Sequence, residues 1–183
     1  RSVSAVIKEA EEILRLGSTE EIEWTDDDIF VGNDVEAWLS NFINIWKKKI
    51  NLPMYVLSSS RSILNISDKI LRELKQIVNC IGLGIQVIRP ESLKLTNRAW
   101  DNEKYMKAAY DRCISFGFSV NMSAIIGLPV SDPVEDAIET INGLKRIGKY
   151  SICSVYPLQI YPNTEMEKYC NEHHFKLNDL STN

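Results

Sequence analysis

The stretch SVNMSAIIGLPVSDPVE, residues 119–135, decides the fold. Ser119 to Ile126 is a strand-like apolar run, and Gly127-Leu128-Pro129 ends it. Asp132-Pro133-Val134-Glu135 then opens a helix, with Asp as N-cap, Pro in the first turn and Glu placed as in a capping box. Strand, turn and capped helix make one βα unit. The cycle recurs on both sides, in EIEWTDDD (21–28), PMYVLSSSR (53–61), GLGIQV (82–87) and SICSVYPLQIYP (151–162). Such alternation predicts a parallel sheet, and parallel sheets bind ligands at the carboxyl ends of their strands. The polar clusters that close each strand are therefore the candidate functional residues.

Helical periodicity fills the intervals. Val3, Val6, Ile7, Ala10, Ile13 and Leu14 share one face, and Gly17 ends that helix. A strand over Ile22 to Thr25 follows. Asn33 or Asp34 is expected to cap a second helix whose apolar face holds Val35, Trp38, Leu39, Phe42 and Trp46. Ser67 caps a helix carrying Ile70, Leu71, Leu74, Ile77 and Val78, and Gly82 to Val87 reads as a short buried strand. Ile88 to Trp100 is a long connection to a helix from about Asp101 to Gly117. The helix after Asp132 should bury Ala137, Ile138, Ile141 and Leu144 and stop at Gly148. Ile152 to Ile160 is the last strand, and Thr164 with Glu167 opens a terminal helix ending near His173-His174. These patterns give five strands and six helices. The order begins with a helix that has no strand before it, so a first strand is expected to be missing from the chain.

Composition narrows the function classes. A formal charge of −4 over 183 residues gives no basic face for nucleic acid. No apolar run is long enough for a membrane span, and the amino end has no signal-peptide pattern. Cys80, Cys113, Cys153 and Cys170 are widely spaced with no CxxC pair, so each reads as a structural thiol in a reducing cytoplasm and no metal ligand is assigned. Five βα units suit a doubly wound sheet or part of a barrel. Gly82-Leu83-Gly84 lies inside a strand rather than in a dinucleotide turn, where it would let a group approach the backbone closely. The absence of any phosphate loop favours the barrel.

Four clusters in order, WTDDDIF (24–30), IGLGIQVIRPESLKLTNR (81–98), IIGLP (125–129) and YPNTEME (161–167), resemble the core of radical S-adenosylmethionine enzymes. The similarity is greatest to the branch that often carries a cobalamin-binding domain upstream. The resemblance implies an α/β fold, a partial (β/α)6 TIM-like barrel that here lacks its first strand. It spans residues 1–175 as one core, with a polar tail at 176–183. Family members hold a [4Fe–4S] cluster on a Cys-xxx-Cys-xx-Cys loop that is not in this sequence. RSVSAVIKEAEEIL (1–14) is similar to the helix just after that loop, so the chain is expected to be cut downstream of the cluster site and to be inactive by itself.

The same resemblance implies site residues. Asp26 and Asp27 match the segment that contacts the amino group of S-adenosylmethionine, and Gln86 matches the residue that reaches its ribose. Ile126 and Gly127, with Pro129, match the adenine-flanking motif. Ser58 and Arg61 end the strand between, where a guanidinium can fork onto a carboxylate such as that of the methionine moiety. Val87 stands where the family has Ser, and Asn163 where it has Gly. Asn97-Arg98 is expected to anchor structure. The cofactors implied are S-adenosylmethionine, a [4Fe–4S] cluster with ligands outside this chain, and cobalamin. The activity implied is generation of a 5′-deoxyadenosyl radical for hydrogen abstraction, with cobalamin-dependent methylation or rearrangement as the subclass. The substrate, a small molecule or peptide, is not readable, and no catalytic residue is assigned. Two alternatives stay open: a degenerate, non-catalytic (β/α) barrel that binds a nucleotide-like ligand or a protein partner, and an ordinary (β/α) enzyme, although no catalytic Lys or phosphate-cradling loop is apparent.

Overall fold

A computed structural model describes residues 1–149 and 151–175, so the predicted tail lies outside the described residues. Five strands lie in one sheet in the order β1-β2-β3-β4-β5, every neighbouring pair parallel. They are β1 (Ile22–Glu23), β2 (Met54–Ser59), β3 (Val78–Gln86), β4 (Ser119–Ile126) and β5 (Ile152–Pro157). Sequence order equals spatial order, so the sheet never reverses. A doubly wound sheet must reverse at its switch point, and the curled half-barrel is what remains.

Eight helices are described: α1 (Val3–Leu16), α2 (Val35–Lys49), α3 (Ser60–Asn65), α4 (Asp68–Leu74), α5 (Pro90–Leu95), α6 (Glu103–Ser115), α7 (Pro133–Ile147) and α8 (Glu165–Glu172). The expected six omitted α3 and α5. A helix of six residues spans under two turns, too short for a periodic signal. Instead α3 is held by Arg112 of α6, whose guanidinium donates to the carbonyls of Ile63, Leu64 and Ile66 at the helix end. Ser67, Asp132 and Thr164 cap their helices as the sequence predicts, and Ser2 caps α1. Asp34 precedes α2 in the left-handed region and makes no side-chain cap.

Strand alternation divides the sheet into two faces. Met54, Val56, Ile81, Leu83, Ile85, Val120, Met122 and Ala124 are buried beneath the helices. Tyr55, Leu57, Ser59, Gly82, Gly84, Asn121, Ser123 and Ser154 occupy the opposite, concave face. Gly82 permits the close approach expected of it, since a Cβ there would collide with the Tyr55 phenol and the Leu57 side chain.

Three further boundaries differ from the sequence reading. Val78 starts β3 rather than continuing α4, because pairing begins at the Met54–Val78 rung. Only Ile22 and Glu23 of the first expected strand pair with β2, and β5 stops at Pro157. The buried face of α7 is Asp136, Thr140, Gly143, Leu144 and Ile147, while Ile138 and Ile141 are exposed. Gly143 lets α7 press against Ile88, which turns the helix away from its most apolar stripe. Asp136 takes the Ser92 hydroxyl on one oxygen and has no partner on the other.

Candidate functional site

The carboxyl ends of β1 and β2 are tied by one carboxylate. Asp28 accepts from the Ser58 hydroxyl (3.1 Å), the Ser59 amide (3.1 Å) and the Ser59 hydroxyl (2.8 Å), and from the Phe30 amide (3.0 Å). Ile29 N donates to Leu57 O, which lays the segment after β1 along β2. Ser58 is buried with its hydroxyl committed to Asp28, so it faces away from the open mouth. Asp26 accepts from Trp24 Nε1 (2.9 Å), and Asp27 is exposed. Asp26 and Asp28 line a groove of about 620 Å³ that continues between α1 and β1 past Trp24, Trp38 and Ile13. Within a run of three acids, composition cannot tell the structural one from the free ones. The paired hydroxyls of Ser58 and Ser59 at the next strand end were the available signal.

The end of β3 carries the densest polar geometry. Pairing with β4 slips between Gly84 and Gln86, and Gln86 sits in the left-handed region at φ 65°. The extra residue re-aims the side chain, and Gln86 Nε2 reaches Ser123 Oγ at 3.4 Å on the concave side. A Cβ on Gly84 would fall 2.9 Å from Gln86 Nε2 and 3.9 Å from Arg98 Nη1, so the space above Gly84 is shared by an amide and a guanidinium.

Arg98 is anchored as expected, Nη2 donating to Gly84 O (2.7 Å) and to Asp101 Oδ2 (2.9 Å). Its Nε is buried without a partner. The Trp100 ring lies 5.3 Å from the Arg98 guanidinium and 5.8 Å from that of Arg61, which stands on the first turn of α3. Arg61 and Arg98 thus meet on one indole, a convergence no linear motif announces.

At the end of β4, Ile126 is half-buried, and its carbonyl receives Leu158 N (2.8 Å). Gly127 has φ 79° and open space where a side chain would stand. Deeper in the concavity Ser154 donates to Asn121 Oδ1 (3.3 Å), and Asn121 stands beside the Tyr55 phenol. Burial is the main cause that raises the Tyr55 pKa.

Ligands for an iron–sulfur cluster are a different matter. Among the described residues no three His, Cys, Asp or Glu side chains gather around a point. Burial pushes the thiols of Cys80, Cys153 and Cys170 up, and Cys113 to about 12, and none of the four stands in a group of metal-ligating side chains among the described residues. The residues present do not fit a cluster. At the mouth, Gly127 meets open space, whereas the space above Gly84 is taken by the Gln86 amide and the Arg98 guanidinium. Among the described residues no helix is long and apolar enough to cross a membrane.

No family model and no curated protein matches the sequence. Solved structures do match. The radical S-adenosylmethionine methyltransferase TsrM of Kitasatospora setae, solved with cobalamin and a [4Fe–4S] cluster, superposes with a TM-score of 0.74 at 16% identity, over 94% of this chain and 34% of that one. Coproporphyrinogen III oxidase of Escherichia coli, described as a radical SAM enzyme, superposes with a TM-score of 0.68 at 20% identity, over 87% of this chain and 37% of that one. The chain has the radical S-adenosylmethionine core fold. Archaeal Elp3 of Methanocaldococcus infernus shares it, with a TM-score of 0.66 at 17% identity, over 95% of this chain and 45% of that one. This chain therefore spans between a third and a half of the length of these proteins. Within the radical S-adenosylmethionine fold, the Asp28 tie, the Gln86 turn and the Arg61–Trp100–Arg98 group all occupy the carboxyl ends of strands.

Proposed function

We propose that this chain is the S-adenosylmethionine-binding core of a radical enzyme. The observation that carries the reading is the β3 terminus, where a slipped register holds the Gln86 amide over Gly84 on the concave face of this fold. Gln86 would hold the ribose, its amide donating to one hydroxyl and accepting from the other. Ile126 would flank the adenine, with Gly127 admitting the ring to the backbone. Asp26 would receive the amino group, being exposed and aligned on the groove, with Asp27 beside it as a second carboxylate.

A [4Fe–4S] cluster ligated outside this chain would supply the reductive chemistry that makes S-adenosylmethionine held here a source of a 5′-deoxyadenosyl radical for substrate hydrogen abstraction. The chain's own part is to bind, orient and shield. Cobalamin-dependent methylation or rearrangement is the reaction class we favour, with a cobalamin-binding domain as partner, because TsrM, part of which shares this fold, is solved with cobalamin bound. The four free cysteines agree with a reducing cytoplasm.

Calorimetry with S-adenosylmethionine on the full 183-residue chain tests the reading. Saturable binding that Gln86→Ala weakens about tenfold is expected, the size of one lost ribose contact. A folded chain that shows no binding, or binding indifferent to Gln86, would sink it.

A further inference from the structure

β5 ends the sheet, and its outer edge has no partner strand among the described residues. Leu158 N donates to Ile126 O, so by the alternation of a parallel ladder the peptide groups of Ile152, Ser154 and Tyr156 face β4. Those of Cys153 and Val155 face outward with both donor and acceptor, and Pro157 adds a carbonyl but no N–H. An open edge is a template for another chain, and proteins ordinarily blunt it with charge, a bulge or a cover. Among the described residues β5 has none of the three. Its pairing with β4 runs without a register shift, and every β5 residue except Ser154 is exposed. Ser151 to Pro162 holds no charged residue, in a chain that is 25% charged.

The edge leads into the concave face. Ile152, Ser154 and Tyr156 share that face with their β4 partners Asn121, Ser123 and Ile125. Ser123 is the residue that Gln86 reaches, so the layer is continuous with the β3 terminus. Ile152 keeps 71% of its surface exposed and Tyr156 58%, and a strand laid along β5 would cover both. No charged side chain stands on the concave face of β3, β4 or β5. A charged segment entering there would lose water without gaining a partner, whereas an uncharged one would not. The outward ladder is also short. Each main-chain hydrogen bond nets only about 1 kcal/mol, so so few of them suit a ligand that comes and goes. Two whole subunits joined by the same short edge would fall below the roughly 800 Å² per partner of a stable dimer.

We propose that the outer edge of β5 binds an uncharged, extended peptide segment as a further strand of the sheet, and that such a peptide is the substrate of this core. Cys153 and Val155 align its backbone through their outward peptide groups. Ile152 and Tyr156 seat the side chains that point inward, on the same face as Gln86. That the peptide is a substrate rests on the S-adenosylmethionine reading above. That it pairs with β5 rests on the edge alone.

The probe is acetyl-Thr-Val-Thr-Val-Thr-Val-amide, added to the full 183-residue chain and followed by calorimetry and amide hydrogen exchange. A second peptide has alternate amides N-methylated, which removes donors and keeps every side chain. Val155→Pro deletes one outward N–H and leaves the bonds to β4 intact, as an edge strand allows. Ile152→Lys puts a charge on the edge without touching the backbone, and far-UV circular dichroism confirms that each variant is folded. The parent should bind the probe and slow exchange across Ile152–Pro157. Val155→Pro, Ile152→Lys and N-methylation should each weaken binding about tenfold. A substrate should also shift S-adenosylmethionine affinity, by about fivefold or more, and independence of the two would overturn the substrate assignment. Equal binding by the folded variants, equal binding of the methylated peptide, or no binding by the parent overturns the edge site. So does sedimentation showing a dimer that Ile152→Lys dissociates, which would assign the edge to a second copy. Edge-dependent peptide binding by a chain that ignores S-adenosylmethionine keeps the edge site and overturns the function proposed above. S-adenosylmethionine binding by a chain that ignores the peptide does the reverse.

Discussion

Asp28 and Ser59 clamp the ends of two strands together, Asp28 Oδ2 accepting both the amide (3.1 Å) and the hydroxyl (2.8 Å) of Ser59. With Ser58 and Phe30 on its other oxygen, the carboxylate is fully engaged. Asp28→Ala leaves these donors without their acceptor in a half-buried site, at a cost of about 2–3 kcal/mol. Asp27→Ala, at an exposed position, should stay within about 0.5 kcal/mol. Urea denaturation of the two variants measures the contrast, and equal midpoints would contradict it.

Two glycines should fail for opposite reasons. Gly82→Ala drives a methyl into the Tyr55 phenol and Leu57 and is expected to cost roughly 1–3 kcal/mol. Gly127→Ala meets open space but holds φ 79°, so its cost of about 1 kcal/mol comes from the backbone. Adding Tyr55→Ala should recover part of the first cost, the Leu57 contact remaining, and leave the second unchanged. Thermal melts of the double variants read the difference.

Gln86 separates binding from stability. Its left-handed conformation is strained for any residue with a Cβ, by about 1 kcal/mol. Gln86→Gly relieves that strain while removing the amide. The melting temperature should hold or rise, and affinity for S-adenosylmethionine should drop about tenfold. A parallel loss of both would assign Gln86 a structural role only.

Cys113 makes stability fall in alkali. Burial first, offset slightly by Arg112, pushes its thiol from an ordinary 9.0 to about 12. The folded chain therefore keeps the proton over a window in which the unfolded chain releases it. Its contribution is complete below pH 9.0 and declines as pH rises toward about 12, by at most roughly 1.4 kcal/mol per unit. Cys113→Ala should flatten the decline in denaturant midpoints between those pH values. An unchanged slope would refute the assignment.

The elements with strong periodicity or caps were legible in the sequence. The limits of β4 and the start of α7 fall where Ser119, Ile126 and Asp132 place them, because a continuous apolar run and a capping box are both local signals. The barrel also followed from what the turns lacked. Long-range packing escaped the reading. α3 is secured by Arg112, about fifty positions along the chain, and α7 is rotated by the contact of Gly143 with Ile88. In the site, Gln86 stood out as a polar residue in an apolar strand. Asp28 could not be told from its neighbours until Ser58 and Ser59 folded onto it, and the meeting of Arg61 with Arg98 depends on Trp100 lying between them in space rather than in sequence.

The slipped rung between Gly84 and Gln86 also constrains how this mouth could be moved to another scaffold. In a regular parallel pair Gln86 would stand level with a residue on its own face, but here it stands level with Ala124, which points under the helices. A designer who copies the polar residues onto an evenly paired β3 would keep the amide on the concave face but lose the left-handed turn at Gln86 and the Ala124 rung that set its height against Ser123. The portable unit is thus a backbone irregularity with Gly84 and Gln86 attached, and a list of side chains transplanted without it would carry over nothing of the site.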